Sequence, residues 1–247
     1  MTFDPATAVE RVWARDASLW TGSGEADWLG WLDVAERMQP LLGELADFAE
    51  SVRADGLEHA VLLGMGGSSL APAVLAQIAA TRSTSPKFEV LDSTHPDTVR
   101  RVTAYKDLSN TLFLVSSKSG TTLEVMALWS HFNGLLHIGD ETANETGRNF
   151  VAITDPGTPL EALAREHGFL DCFVNPSDVG GRFSALTYFG MVPAALLGFD
   201  LNQLLQSVRR RALNCQTRGA ETNDALLFGW HIGTYAAQGR NKVTLLL

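Results

Sequence analysis

The sequence predicts an α/β fold: a doubly wound, three-layer sandwich built on a parallel sheet and preceded by a helical lead-in. Two observations predict it. From about residue 58, short runs that are apolar throughout alternate with amphipathic segments, and strands without a polar face are strands covered on both sides. Several of these runs also end in glycine- or hydroxyl-rich stretches placed just before a helical pattern. Such strand-to-helix turns carry the ligand sites of doubly wound sheets.

Residues 1–50 read as the lead-in. Trp28, Trp31, Leu32, Ala35, Met38 and Leu42 recur at three- and four-residue steps, interrupted by Thr21-Gly22-Ser23-Gly24 and by Pro40. That period marks helices with one apolar face. The tryptophans are expected in the packing against the main domain rather than as a platform for a sugar.

Residues 51–247 read as the sandwich. The expected strands are His59–Leu63, Phe88–Asp92, Thr111–Ser116, Phe150–Thr154, Cys172–Val174 and Lys242–Leu247. Helical patterns fall near 71–81, 96–104, 121–137, 159–167, 185–197, 201–214 and 223–239. Gly139–Asn149, rich in Asp, Glu, Thr, Asn and Gly, is expected as an exposed loop. Parallel strands normally lead onward, so a last strand at Val243–Leu247 reads as a chain that has been cut.

Nineteen basic against 28 acidic residues give a net charge of −9. That balance argues against a nucleic acid or an anionic membrane as partner, and any anionic ligand must be held locally. Cys172 and Cys215 lack the spacing of zinc or redox motifs, which fits reduced thiols and a cytoplasmic protein. No metal is expected. Met1-Thr2-Phe3-Asp4-Pro5 lacks a basic segment followed by an apolar run, and no stretch of about 18 apolar residues suggests a membrane span.

Three loops carry the chemistry. Gly64-Met65-Gly66-Gly67-Ser68-Ser69 follows the first strand. Its glycines allow close backbone approach, and the helix start behind it favours an anion. A dinucleotide fingerprint is the competitor, with Asp92 as the ribose-binding acid, but Ser69 replaces the third glycine and the next helix opens at Ala71-Pro72. Ser116-Ser117-Lys118-Ser119-Gly120-Thr121-Thr122 follows the third strand and concentrates five hydroxyls and a lysine at one helix start. A phosphate monoester calls for that donor set, whereas a helix cap needs only one such residue. Asn175–Ser184 contains Gly180-Gly181-Arg182, a fixed cation where the backbone comes close, suited to an oxyanion formed during reaction.

Taken together, these loops resemble those of the phosphoglucose isomerase family, whose subunits hold two sugar-isomerase (SIS) domains. Asp178–Ser184 (D-V-G-G-R-F-S) is similar to a family signature, V-S-S-K-S-G-T-T to its phosphate loop, and L-L-G-M-G-G-S-S-L-A-P to its glycine-serine loop. The resemblance spans about residues 58–247. The segments Ala14–Trp20 and Trp28–Leu32 further resemble the isomerase half of bacterial transaldolase and glucose-6-phosphate isomerase fusions. Ser119-Gly120 stands where threonine and an aromatic residue are common in the family, which touches substrate identity more than phosphate binding.

The resemblance implies that Ser117, Ser119 and Thr122 bind the substrate phosphate, with Lys118 and Thr121 completing the loop. It also implies that Gly67 and Ser68 touch the sugar, and that Arg182, with Gly181 beside it, stabilises an enediolate. The implied reaction interconverts glucose 6-phosphate and fructose 6-phosphate through a cis-enediol, without cofactor, in a homodimer when full-length. The family's base is a glutamate beyond the reach of this chain, and a second SIS domain is expected to be missing. Glu124, Glu221, Asp178, His95, His131, His137, His167 and His231 lack the context of a base or ring-opening acid. A non-catalytic module that senses a sugar phosphate is the alternative.

Overall fold

The computed structural model describes residues 4–79, 86–104, 107–137, 146–219 and 221–244. Its five-stranded sheet is parallel throughout, in the order β2-β1-β3-β4-β5, formed by β1 (His59–Gly64), β2 (Lys87–Leu91), β3 (Thr111–Ser116), β4 (Phe150–Thr154) and β5 (Asp171–Val174). The connections leave β1 toward one edge and return across it to β3, so the strand order reverses between β1 and β3. Ligands of open α/β sheets bind at such a reversal, outside the carboxyl ends of the strands.

Alternation along the strands builds two cores. Ala60, Leu62, Leu112, Leu114, Val151 and Ile153 face one layer, which holds α2 (Val34–Met38), α3 (Leu42–Ala54), α8 (Tyr188–Leu196) and α9 (Leu201–Cys215). Val61, Leu63, Phe113, Val115, Phe150 and Ala152 face α5 (Pro96–Ala104), α6 (Leu123–Leu136) and α7 (Pro159–Glu166) on the other side. Every residue of β3 and β4 is buried, as expected of central strands covered on both faces. Helix α4 (Leu70–Ala79) follows β1 and packs on α8, whereas α1 (Pro5–Trp13) and α10 (Asp224–Ala237) flank a separate apolar cavity of about 690 Å³.

The lead-in is part of the first core. Val34, Ala35, Met38, Leu42, Leu45, Phe48, Ala49 and Val52 all enter it, and α3 continues through residue 54. Trp28 departs from its expected place: it is 45% exposed, on a short turn Glu25–Trp28.

Two helices begin later than the periodicity suggests. Gly120 has φ +66°, and the turn there delays α6 until after Thr122. A tight turn covers Gly181–Leu186, and the Thr187 side chain then accepts from the Phe189 N–H to open α8. At the other end, residues 240–244 form no regular structure, so the described part of the expected strand Lys242–Leu247 does not join the sheet. Leu245–Leu247 and most of the expected 139–149 loop lie outside the described residues; Thr146–Asn149 is a short helical turn whose Asn149 amide donates to the Thr111 carbonyl at 2.9 Å.

Candidate active site

Register aligns Gly64 with Ser116, so the loops after β1 and β3 leave the sheet side by side at the reversal point. The loop after β5 joins them: the Asn175 N–H donates to the Thr154 carbonyl at 2.8 Å, and the Thr154 hydroxyl donates to the Ser117 carbonyl at 2.7 Å. The three loops singled out in the sequence thus meet along one edge.

Close approach explains Gly67. A Cβ there would lie 2.4 Å from the Gly181 carbonyl oxygen and 2.7 Å from its carbon, so only glycine lets the first and third loops touch. A Cβ on Gly181 would meet nothing within 4 Å. Ser68 is buried beside this contact, and its carbonyl accepts from the Ser116 hydroxyl at 3.3 Å.

The hydroxyl-rich turn is largely built from itself. The Ser117 and Thr122 hydroxyls share a hydrogen bond of 2.8 Å, the Thr121 hydroxyl donates to the Ser119 oxygen at 3.0 Å, and the Gly120 N–H donates to the Ser117 carbonyl at 3.2 Å. Thr122 occupies the position before α6 without capping its amides. Those first amides, with the positive end of the helix behind them, remain available to an anion. Ser119 and Thr121 are exposed, Ser117 is buried and Thr122 half-buried.

Lys118 leaves this turn for the cleft. Its ammonium pairs with Asp155, donates to the Ser177 carbonyl at 3.3 Å, and stands 5.3 Å from the centre of the Trp28 ring. Burial pushes the Asp155 carboxyl above its ordinary value, and the Lys118 hydrogen bond and charge pull it back. Asp155 directly follows β4, and a position one strand over from Lys118 was the signal in the sequence that could have found it.

One cleft of about 620 Å³ collects Gly67, Lys118, Gly180, Gly181, Arg182 and Phe183 together with Trp20, Glu25, Trp28, Leu29 and Trp31 of the lead-in. Lys118 and Arg182 therefore lie on the same side of the sheet. Ser117, Ser119, Thr121 and Thr122 do not line the cleft themselves; they belong to the turn that delivers Lys118 into it. Asp92, the acid of the dinucleotide alternative, is exposed and outside it.

Asp178 is a clamp. Arg37 Nη1 donates to both of its carboxylate oxygens at 2.9 Å, Arg15 lies 3.8 Å away, and the Gly30 N–H donates to its carbonyl at 2.9 Å. Leu29 bridges Val179, and Trp31 stacks on Phe183 with ring centres 5.6 Å apart. These contacts tie the lead-in to the loop bearing Arg182. Sequence patterning could not reveal them, because Arg37 and Asp178 are 141 positions apart.

Glu25 is the acid among the residues lining the cleft. Its carboxylate accepts from the Thr21 hydroxyl and from the Thr21 and Ser23 N–H groups, and the Thr21 hydroxyl is the main cause of a pKa lowered to about 2. A carboxylate held so strongly in its charged form is a poor proton acceptor. Among the described residues, no three His, Cys, Asp or Glu side chains cluster as metal ligands, and no helix is long and apolar enough to cross a membrane.

Known proteins share this architecture. A glucose-6-phosphate isomerase of Thermus thermophilus is 37% identical over 185 residues, covering 74% of this chain and 42% of the relative. The crystal structure of a hypothetical protein from Thermus thermophilus superposes with a TM-score of 0.75 at 32% identity, over 91% of this chain and 53% of that one. A glucose-6-phosphate isomerase structure from Chlamydia trachomatis gives 0.63 at 29% identity, over 90% and 40%. The chain thus spans about two fifths of the length of the first curated relatives it matches. The sequence model of phosphoglucose isomerase matches residues 30–239, a stretch that holds all three loops and the Arg37–Asp178 pair joining them to the lead-in, and on this ground the chain belongs to the phosphoglucose isomerase family.

Proposed function

We propose that this chain holds a hexose 6-phosphate at the carboxyl edge of its sheet and serves the interconversion of glucose 6-phosphate and fructose 6-phosphate through a cis-enediol. The phosphoryl group is received by Ser117, Lys118, Ser119, Thr121 and Thr122 and by the open amides of α6. Gly67 and Ser68 border the sugar, and the Arg182 guanidinium, presented by Gly181, faces the oxyanion that forms as a proton moves between C1 and C2.

The observation that carries this reading is the shared cleft of Lys118 and Arg182, with Gly67 in backbone contact with Gly181. In a chain of net charge −9, the Arg182 guanidinium and the Lys118 ammonium, the latter shared with Asp155, are the local cations that an anionic ligand needs. No base is assigned, since the Glu25 carboxylate is committed to the Thr21–Ser23 turn.

Titration calorimetry with fructose 6-phosphate, unphosphorylated fructose and inorganic phosphate tests the reading. Fructose 6-phosphate is expected to bind most tightly and Lys118→Ala to weaken it at least tenfold. Equal binding of fructose and fructose 6-phosphate overturns it.

A further inference from the structure

A large aromatic ring left open in a cleft that holds two cations calls for an explanation. Trp28 is 45% exposed and Trp20 41%, and both line the cleft that holds Lys118 and Arg182. Burying a tryptophan ring is among the largest apolar gains available to a side chain, yet the fold leaves this one uncovered.

Its position is built rather than loose. The residue after it, Leu29, is buried and bridges Val179; Gly30 donates to the Asp178 carbonyl at 2.9 Å; Trp31 stacks on Phe183. Gly30 is itself a packing requirement, since a Cβ there would come within 2.4 Å of the Asp178 carboxyl. On its other side the ring meets the hydroxyl-rich turn through the Lys118 ammonium, 5.3 Å from its centre. Trp28 therefore stands in the cleft beside the lysine of the hydroxyl-rich turn, on a segment whose next three residues are tied to the loop that offers Arg182.

We propose that Trp28 is a specificity-determining wall of the sugar subsite: its ring receives the C–H surface of the sugar carbons lying between a phosphoryl group on the Ser117–Thr122 turn and the reacting end at Arg182. Lys118 is held by Asp155 and the Ser177 carbonyl as well as by the ring, so its charge does not depend on Trp28 alone. The wall acts on the sugar and not on the phosphate. This inference rests on the sugar-phosphate reading of the cleft.

The test titrates the full chain, Trp28→Leu and Trp28→Phe with fructose 6-phosphate and, separately, with inorganic phosphate. The expected result is roughly five- to tenfold weaker fructose 6-phosphate binding by Trp28→Leu, recovery of most of it by Trp28→Phe, and unchanged phosphate binding by both. Unchanged fructose 6-phosphate binding by Trp28→Leu, or an equal loss for both ligands, overturns the wall and leaves the sugar-phosphate reading standing. Failure of the unsubstituted chain to prefer fructose 6-phosphate over inorganic phosphate overturns both.

Discussion

The turn after β3 and the loop after β5 reach the same cleft by opposite means. Ser117–Thr122 takes its shape largely from its own neighbours, with hydroxyls bonded across two to five positions and a glycine at positive φ. Beyond them it leans on the adjacent strand β4, whose Ile153 carbonyl accepts from the Ser117 N–H at 3.0 Å and whose Thr154 hydroxyl donates to the Ser117 carbonyl at 2.7 Å. Asn175–Ser184 is held from afar, by Arg37 and Gly30 on Asp178 and by the backbone of Gly67 against Gly181. A locally built turn can keep its shape when distant contacts fail, whereas a loop held by remote partners is only as fixed as those partners. The hydroxyl-rich and the arginine-bearing parts of the candidate site should accordingly respond to different substitutions.

The largest effect is expected at a remote contact of the arginine-bearing loop, its backbone approach to the loop after β1. Gly67→Ala drives a methyl into the Gly181 backbone and should cost ~3 kcal/mol in denaturant stability, with fructose 6-phosphate binding lost in parallel. Gly181→Ala, facing open space, should stay within ~1 kcal/mol of the parent. Similar costs for both would mean that the loops do not depend on this contact.

Next comes the ion pair that crosses from β3 to β4. Lys118→Met leaves the Asp155 carboxylate largely buried without its cation and should cost about 2 kcal/mol at pH 7. The sign of its pH dependence follows from burial raising the Asp155 pKa. A carboxyl that holds its proton more tightly when folded loses native stability as pH rises from the unfolded value through the raised folded one. Removing Lys118 deepens that fall, so the difference between variant and parent should shrink as pH is lowered toward about 4. A pH-independent difference in urea midpoints would remove Asp155 from the account.

Asp178→Asn sharpens the comparison further. It cuts the charge pairs with Arg37 and Arg15, which are more than a third exposed, so the stability cost should be only about 1 kcal/mol. Hydrogen exchange should quicken at Val179–Phe183 while the amides of 117–122 keep their protection. Loosening of both segments together would contradict the independence of the two turns.

The smallest change in stability belongs to Arg182→Ala, within ~0.5 kcal/mol, because the side chain is exposed. Its effect should appear instead in fructose 6-phosphate affinity, measured by calorimetry alongside inorganic phosphate.

How much of this was legible follows the same division. That the strands lie parallel could be expected because the central ones carry no polar face, and the hydroxyl-rich turn stood out because its donors are close together in the chain. Apolar periodicity puts the start of α6 two residues early, since it does not register the positive φ of Gly120. Of the expected strand Lys242–Leu247, the described residues 242–244 carry no regular structure, for a related reason: an apolar run meets the pattern of a strand, but pairing needs an adjacent edge, and these residues find none.

Trp28 shows the limit most clearly. Its helical spacing with Leu32 and Ala35 matched a core position, and those two neighbours are buried, yet Trp28 lies on a separate short turn and opens to the cleft. Local propensity, apolar pattern and the donors of a single turn are properties of neighbouring residues, so the sequence by itself determined the sandwich, its helical prelude and the concentration of hydroxyls in one loop. Which far-off residues would press together was decided only by the tertiary structure. Asp178 under Arg37, Gly67 against Gly181 and Trp28 beside Lys118 all depend on sheet register and layer packing, which act between residues far apart in the chain.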